Sequence, residues 1–300
     1  MKRLSFMAIA GLLSSVSCTP IALGCDRTCL VSTLEQQLSQ WVSQGRTSGI
    51  APDFSYIENG VETPLEDAFW HTATALGGFQ RYYADPQTGD AVYFGLVEEP
   101  GSTDIVSLRI RYRDGQAIDG ESIVVRKGSH NFYSPEGLAE SGPADAVLAS
   151  QPATSRAAMI AAADSYFDGI QTQNPDIVLN HRGCVRVENG VKVTQYPGTP
   201  PSLAFTDKDC TANISGMKQI AEVVDREYVV DEQAAMVLGR VVFNRHPGAK
   251  LADGSPRLRL LVMEYFSVRG DRFDGVYAAM QNLPHGQLLP WDVAATGNAK

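Results

Sequence analysis

The sequence has no surplus of positive charge and few histidines and cysteines. Its 300 residues include 25 lysines and arginines against 34 aspartates and glutamates, a net charge of −9. A general nucleic-acid binder needs a basic surface to release counterions from phosphate, so we expect no nucleic-acid partner. The five histidines are scattered and do not cluster with cysteines at metal-ligand spacing, so we expect no metal site.

Motifs of the common enzyme classes are also missing. The sequence has no G-x-S-x-G elbow, no H-E-x-x-H pair, no Walker loop and no G-x-G-x-x-G fingerprint. These absences argue against a standard esterase, zinc protease, nucleoside triphosphatase or dinucleotide enzyme, and we expect no cofactor. Hydrophobic residues make up 44% of the chain, which excludes disorder of the chain as a whole.

The first residues have the pattern of an export signal. The basic residues Lys2 and Arg3 precede the apolar run FMAIAGLL, which is too short to span a bilayer. Small residues follow, and cleavage before Cys25 removes a signal peptide of residues 1–24. Cleavage before Cys18 and attachment of a lipid to either cysteine are the alternatives. We therefore predict a secreted or periplasmic protein without a transmembrane segment, with a lipoprotein anchor as the alternative.

Export permits disulfides, because they persist in oxidising compartments. If Cys18 leaves with the signal peptide, four cysteines remain, and four cysteines allow three pairings. We predict the local pairing, Cys25 with Cys29 and Cys184 with Cys210.

The chain repeats itself. The segment IENGV at 57–61 returns as VENGV at 187–191, each time after an amphipathic helical pattern. Matching strand-like blocks follow each copy, and a glycine turn joins the last two. We therefore predict two homologous α+β units. The predicted organisation is a first domain at 25–130, a linker rich in Pro, Ser, Ala and Gly at 131–155, a second domain at 156–291 and a tail at 292–300.

Several segments resemble a known family. The segment CDRTCL, the two ENG motifs, YYADPQTG and the late LPHG…PW are similar to an exported family of tandem proteins of unknown function. Its units resemble the nuclear transport factor 2-like (SnoaL-like) cone fold, and the resemblance runs from Cys25 to Trp291. It implies a curved antiparallel sheet that helices close around an apolar pocket. Many relatives use this pocket for acid–base chemistry without a cofactor, and others only bind.

Two such domains are expected to pack sheet to sheet, as a pseudo-dimer within one chain, and a further homodimer stays open. The first unit has Ala51 where the second has His181. We therefore expect the working pocket in the second unit.

Four residues of the second unit are candidates for acid–base chemistry. His181 would be the general base, and Tyr166 would donate a hydrogen bond to a developing oxyanion. Asp164 or Glu188 would orient the base or act as the acid. Each has a structural alternative: a capped surface histidine, a core tyrosine, a solvated helix face and a glutamate beside an Asn-Gly turn.

Strand alternation and the apolar stripe of the helix before the second ENG motif predict which side chains line the pocket. The predicted substrate-binding residues are Tyr265, Met263 and Phe167. The Asp-Gly turn common to both units aligns Glu264 with Arg109, on the face turned to the other unit. We expect Glu264 to approach Arg109 or Arg111 there, as a partly buried ion pair.

The leading functional prediction is a cofactor-independent lyase, dehydratase or isomerase. It would act on a small exported or extracellular metabolite in the pocket of the second unit. The alternatives are a non-catalytic protein that binds a small ligand and a hydrolase that uses a carboxylate-activated water.

Overall fold

A computed structural model describes residues 25–44, 49–144, 154–194, 210–251 and 253–292. The predicted signal peptide, the linker residues 145–153 and the tail residues 293–300 lie outside these ranges. None of the helices in the described ranges is long and apolar enough to cross a membrane.

The first half is one helix and a six-stranded sheet. Its strands are ordered β2-β1-β6-β5-β4-β3. All neighbours are antiparallel except β1 and β6, which are parallel, so the sheet is mixed where a purely antiparallel one was expected. A parallel pair needs a long connection, and the whole meander separates β1 from β6. The elements are α1 (Arg27–Gln44), β1 (Ile50–Glu58), β2 (Val61–Glu62), β3 (Ala75–Asp85), β4 (Asp90–Glu99), β5 (Ser102–Arg113) and β6 (Gln116–Val125).

The second half has a sheet with the same strand order, β8-β7-β12-β11-β10-β9, again with one parallel pair, β7 and β12. Two mixed sheets with few helices fit the α+β class that the sequence predicts. The elements are α2 (Pro135–Ser141), α3 (Arg156–Thr172), β7 (Asn180–Glu188), β8 (Val191–Lys192), β9 (Ile220–Asp231), β10 (Met236–Arg245), β11 (Leu260–Arg269) and β12 (Arg272–Asn282).

The ENG motifs form tight hairpin turns, β1 to β2 and β7 to β8. Asn59 and Asn189 have φ of 51° and 46°, the left-handed region that asparagine and glycine tolerate in such turns. Each asparagine also holds its turn against the last strand of its sheet. The side-chain oxygen of Asn189 accepts from the N–H of Met280 at 2.8 Å, and its amide donates back to the Met280 carbonyl at 3.0 Å.

The beginning of the predicted linker is folded and not an open connection. Ser134 caps α2 by accepting from the N–H of Gly137 at 3.0 Å, with Pro135 at the first helical position. Leu138 is fully buried, and the N–H of Ser134 donates to the Asn189 carbonyl at 2.9 Å. The serine and proline that suggested a linker are the start signal of a short docked helix.

The core lies in three layers, one under each main helix and one between the sheets. The middle layer combines side chains of β3 to β6 with side chains of β9 to β12, so the two sheets pack face to face. Met263 and Tyr265 belong to this middle layer. Tyr265 stacks on Phe94 with 4.5 Å between ring centroids, and its hydroxyl bonds to Ser107 at 2.5 Å.

Two aspartates tie the halves together reciprocally. Asp85 accepts from Arg156 at 2.6 Å, and Asp231 accepts from Arg27 at 2.7 Å. Asp85 also accepts a hydrogen bond from the backbone N–H of Val230 at 3.0 Å, and Asp231 accepts one from the backbone N–H of Ala84 at 3.0 Å. Both carboxylates are 1% exposed. An unpaired charge is costly at such depth, so these bonds fix how the halves dock.

The predicted register of β11 was wrong by one residue. In the first sheet, the ENG glutamate pairs with Ser122, which pairs in turn with Leu108. In the second sheet, the ENG glutamate pairs with Ala278, which pairs with Glu264. Glu264 therefore occupies the place of Leu108 and not that of Arg109. A slip of one residue moves every side chain of a strand to the other face.

This slip overturns two predictions. Arg109 and Arg111 both bond to Asp90 at 3.1 Å, and Glu264 is buried on the opposite face, towards α3. The expected ion pair of Glu264 with these arginines is wrong. Met263 and Tyr265 face the first sheet and do not line a pocket under α3.

Candidate functional site

The second half contains a cavity of about 560 Å³ at one end of its sheet. It lies where β7, β10 and β12 end and where β9 and β11 begin. Its walls are mostly apolar and include Phe243, Leu260 and Met280. The volume falls in the range of sites that take small organic molecules, roughly 300–1,000 Å³.

Aromatic rings fill the interior of the first half. Trp70 donates from Nε1 to the hydroxyl of Tyr56 at 2.8 Å, and that hydroxyl bonds to Ser122 at 2.6 Å. Trp41 lies against Trp70 with 5.3 Å between ring centroids. Aligned on the ENG motif, Tyr56 stands where the second half has Arg186. The halves thus share a strand order and differ in what they enclose.

Arg186 and Glu188 form a buried ion pair on β7. They are two residues apart, so strand alternation turns both to the same face. The Nε of Arg186 lies 3.1 Å from Oε1 of Glu188. The Arg186 side chain is fully buried, whereas that of Glu188 is 14% exposed and reaches the cavity wall. Glu188 is therefore the member of the ion pair that reaches the cavity, whereas Arg186 stays buried behind it.

A disulfide positions the backbone that satisfies Arg186. Both predicted disulfides, Cys25–Cys29 and Cys184–Cys210, are confirmed. The second joins β7 to a segment whose carbonyls at Cys210 and Ala212 accept from Nη1 of Arg186 at 3.3 and 3.4 Å. Buried arginines are retained only where such partners replace water.

Tyr166 and Glu264 complete a buried quartet with Arg186 and Glu188. Nη1 of Arg186 donates to the Tyr166 hydroxyl at 3.3 Å. Burial, reinforced by the negative charge of Glu188, raises the pKa of Glu264 to about 8, and Arg186 opposes part of this rise. Burial also raises the pKa of Glu188, against the pull of Arg186. Near neutral pH, Glu264 is therefore mostly protonated, which leaves Arg186 as the counter-ion of Glu188.

His130 lines the same cavity from the segment after β6. Its Nδ1 accepts from the N–H of Phe132 at 3.0 Å. Burial and, to a lesser extent, the charge of Arg245 lower the pKa of His130. The imidazole is therefore neutral at pH 7, with its proton on Nε2. Such a group can donate a hydrogen bond to a bound oxygen.

His181, the predicted base, lies away from this site. Its Nε2–H donates to the carbonyl of Arg269 at 3.0 Å, beside the turn between β11 and β12. His181 and Glu188 stand near opposite ends of β7, roughly 20 Å apart at about 3.3 Å per residue. The expected convergence of His181 and Tyr166 on one cavity is wrong, because the first residues of β7 run along the far end of the sheet.

Two other predicted site residues, Asp164 and Phe167, make contacts that suit a structural role. Asp164, on the half-exposed side of α3, accepts hydrogen bonds from Arg226 at 2.7 Å and from the Tyr228 hydroxyl. Phe167 is a residue of α3 and is fully buried, with its ring centroid 5.4 Å from that of Phe266. Of the four predicted catalytic residues, Tyr166 and Glu188 are brought together, through Arg186.

Sequence reasoning missed Arg186 and His130. Arg186 had a detectable signal, because Cys184, Arg186 and Glu188 follow at every second position and so share one face of a strand. His130 lies outside helices and strands, where no periodic pattern marks it. Across the described ranges, the structure brings together no group of three or more histidine, cysteine, aspartate or glutamate side chains that could hold a metal ion.

Comparison with known proteins finds a family and distant structural likenesses. A family model described as "Domain of unknown function (DUF8021)" matches residues 152–280, less than half of the chain. No curated protein matches the sequence. Three solved structures are similar to about half of it, at 13–14% identity.

The first structure is AusH from Aspergillus nidulans, with a TM-score of 0.30 over 43% of this chain and 86% of that one. The second is a SnoaL-like polyketide cyclase from Agrobacterium tumefaciens, at 0.28 over 47% and 98%. The third is LinA, at 0.28 over 45% and 93%. Likeness at this level does not identify an activity for this chain.

Proposed function

We propose that the chain is a cofactor-independent acid–base enzyme, an isomerase or a lyase of the dehydratase type. Its substrate is a small, largely apolar molecule held in the cavity of the second half. The observation that carries this proposal is the Glu188 carboxylate, whose pKa burial raises, at the wall of a mostly apolar cavity. A raised pKa makes a carboxylate a stronger base, and perturbed acids in clefts mark functional sites.

The chemistry uses two groups of the cavity wall. Glu188 takes a proton from a carbon next to a substrate carbonyl. The Nε2–H of His130 donates a hydrogen bond to that carbonyl oxygen as negative charge builds on it. In an isomerase, Glu188 returns the proton to a different carbon. In a dehydratase, the proton leaves with the hydroxide from the neighbouring carbon, as water.

The other members of the quartet position Glu188. Arg186 binds one Glu188 oxygen, and the Tyr166 hydroxyl and two carbonyls hold Arg186. Glu264 keeps its proton and so does not compete for Arg186. Tyr166 does not line the cavity, so its role is to position Arg186 and not to bind an oxyanion. Removing such support perturbs catalysis by misplacing the base.

A non-catalytic protein that binds a small ligand is the second candidate. The direct ion pair of Arg186 with Glu188 favours it, because a glutamate that is already paired with an arginine can have a purely structural role in an apolar wall. We also propose that the chain is exported, since two disulfides suit an oxidising compartment.

Turnover by matched glutamate variants distinguishes the candidates. Enones, β-hydroxy carbonyls, uronides and epoxides are incubated with the protein, and mass spectrometry detects isomerisation, loss of water or cleavage. We compare the unsubstituted chain with Glu188→Gln and with Glu58→Gln, the ENG glutamate of the first half. Loss of the base should cost about 10²–10⁴ in rate in Glu188→Gln alone.

Three outcomes contradict the enzyme proposal. Equal loss in both variants would mean that the ENG glutamates act through folding. Unchanged turnover in Glu188→Gln would remove it as the base. Ligands that bind without any product in the unsubstituted chain would establish the binding protein instead.

A further inference from the structure

We infer that the ligand of this cavity is an amphipathic organic anion, with an apolar body inside and its acidic group at the mouth against Arg245 and Arg257. The inference deepens the proposed function and rests on the cavity being the site. It names the class of molecule that the wall selects.

The mouth of the cavity concentrates positive charge in an acidic protein. Residues 245–259 carry four lysines and arginines but one acid, Asp253. The Asp253 carboxylate accepts hydrogen bonds from the N–H and the hydroxyl of Ser255, at 2.9 and 2.6 Å. Two of the four cations, Arg245 and Arg257, line the cavity.

Each of the two arginines is held by a hydrogen bond from its Nε. The Nε of Arg245 donates to the Leu258 carbonyl at 3.1 Å, and the Nε of Arg257 donates to the Lys250 carbonyl at 3.1 Å. Among the described residues, neither guanidinium has a carboxylate within ion-pair distance. By contrast, Arg226 on β9 and Arg259, a third cation of residues 245–259, are paired with acids.

The two cations also act on each other. Burial and the nearby charge of Arg257 lower the pKa of Arg245 to about 10. A half-buried cation that faces another cation is costly, unless an anion offsets the charge. A guanidinium binds carboxylates and similar oxyanions through two parallel hydrogen bonds. Within the described part of the chain, the terminal nitrogens of both arginines are open to such a partner.

The apolar wall begins directly behind these cations. Phe243 precedes Arg245 by two residues on β10 and is 7% exposed, and Leu260 follows Arg257 at the start of β11. Together with Met280 these side chains face a ligand body, while Glu188 lies among them. A ligand that is charged at one end satisfies both parts of the wall.

A pair of fluorescent probes tests the inference. The aromatic anion 8-anilinonaphthalene-1-sulfonate and N-phenyl-1-naphthylamine share one aromatic body, and the second lacks the sulfonate. Each is titrated into the full chain, into the double variant Arg245→Gln/Arg257→Gln and into Arg269→Gln. Arg269 lies at the opposite end of the sheet and pairs with Asp274 at 2.8 Å, so it controls for loss of charge alone.

We expect the two probes to compete and the anion to bind more tightly. The double variant should weaken the anion at least tenfold and leave the neutral probe unchanged, while Arg269→Gln changes neither. Salt should weaken the anion only, because it screens partly exposed charges. The comparison of probes and of salt in the unsubstituted chain tests the inference even if the double variant fails to fold.

Two results separate this inference from the proposed function. Equal affinity of both probes in the unsubstituted chain, or equal weakening of the anion by Arg269→Gln, overturns the anion site and leaves the cavity standing. Failure of the neutral probe to bind, or of the two probes to compete, overturns the cavity as the site, and the proposed function with it.

Discussion

Replacing Glu264 by glutamine should make the protein more stable at neutral and alkaline pH. Buried Glu264 has a pKa of about 8, against an ordinary value of 4.5. Above pH 4.5 the unfolded chain gives up this proton, whereas the folded chain keeps it up to about pH 8. The stability that Glu264 contributes is therefore fully present below pH 4.5 and is lost as the pH rises through 8. Glutamine mimics the protonated acid and does not titrate.

The size of the effect follows from the two pKa values. The interval from 4.5 to 8 spans 8 − 4.5 = 3.5 pH units. At about 1.4 kcal/mol per unit, the two values correspond to about 5 kcal/mol, an order-of-magnitude figure. About two thirds of it is already lost by pH 7. Glu264→Gln should thus match the unsubstituted chain near pH 4.5 and exceed it by several kcal/mol near pH 8.

Urea unfolding at several pH values, with the disulfides intact, measures this difference. Acids that do not interact with Glu264 contribute equally to both proteins, so the gap between the two curves reports on Glu264 together with its coupling to Glu188 and Arg186. Glu140→Gln, which changes an exposed acid on α2, is the matched control and should leave no gap. Parallel curves for Glu264→Gln and the unsubstituted chain would refute the reasoning, because Glu264 would then titrate alike in both states.

Three further changes test other parts of the structure. Cys184→Ser with Cys210→Ser opens a loop with a sequence separation of 26 and should lower the free energy of unfolding by about 3.5 kcal/mol, measured by thermal denaturation. Asp231→Asn leaves buried Arg27 without its counter-ion and should cost about 3 kcal/mol in urea unfolding. Tyr166→Phe removes one hydrogen bond from Arg186 and should cost about 1–2 kcal/mol by the same assay.

Each of these three predictions has a control or an outcome that would contradict it. Opening Cys25–Cys29, with a separation of 4, should cost less than opening Cys184–Cys210, and the reverse order would contradict the loop argument. Asp271→Asn removes an exposed charge whose nearest arginine nitrogen is 4.0 Å away, so an equal loss there and in Asp231→Asn would contradict the buried pair. Unchanged stability in Tyr166→Phe would mean that Arg186 does not depend on the hydroxyl.

Local sequence signals predicted much of the fold. The two Asn-Gly turns and both disulfides follow from turn chemistry and cysteine spacing. These features depend on neighbours in the sequence, so a single chain is enough to recognise them. The turn between β7 and β8 is a clear example.

The site depends on contacts that are distant in sequence, and it was predicted only in part. Glu264 was assigned to the wrong face because β11 was aligned on Asp274 and Gly275, which were expected to form a turn. The structure places both residues inside β12, opposite the register shift between Ser267 and Val268. His181 was expected at the pocket as the general base, although strand pairing carries it to the other end of the sheet. Arg186 meets Tyr166 across 20 residues and the Cys210 carbonyl across 24. No periodicity encodes such meetings.

The proposed function requires that a small molecule enters the cavity beside Glu188. Three methionines report on it, since Met217 and Met280 line the cavity, whereas Met263 lies between the sheets. The protein is labelled with ¹³C at the methionine methyl groups and titrated with N-phenyl-1-naphthylamine in an NMR experiment. We expect saturable shifts of the Met217 and Met280 methyl signals, with the Met263 signal unchanged. Shifts at Met263, or no shifts at the two cavity methionines while the probe binds, would contradict it.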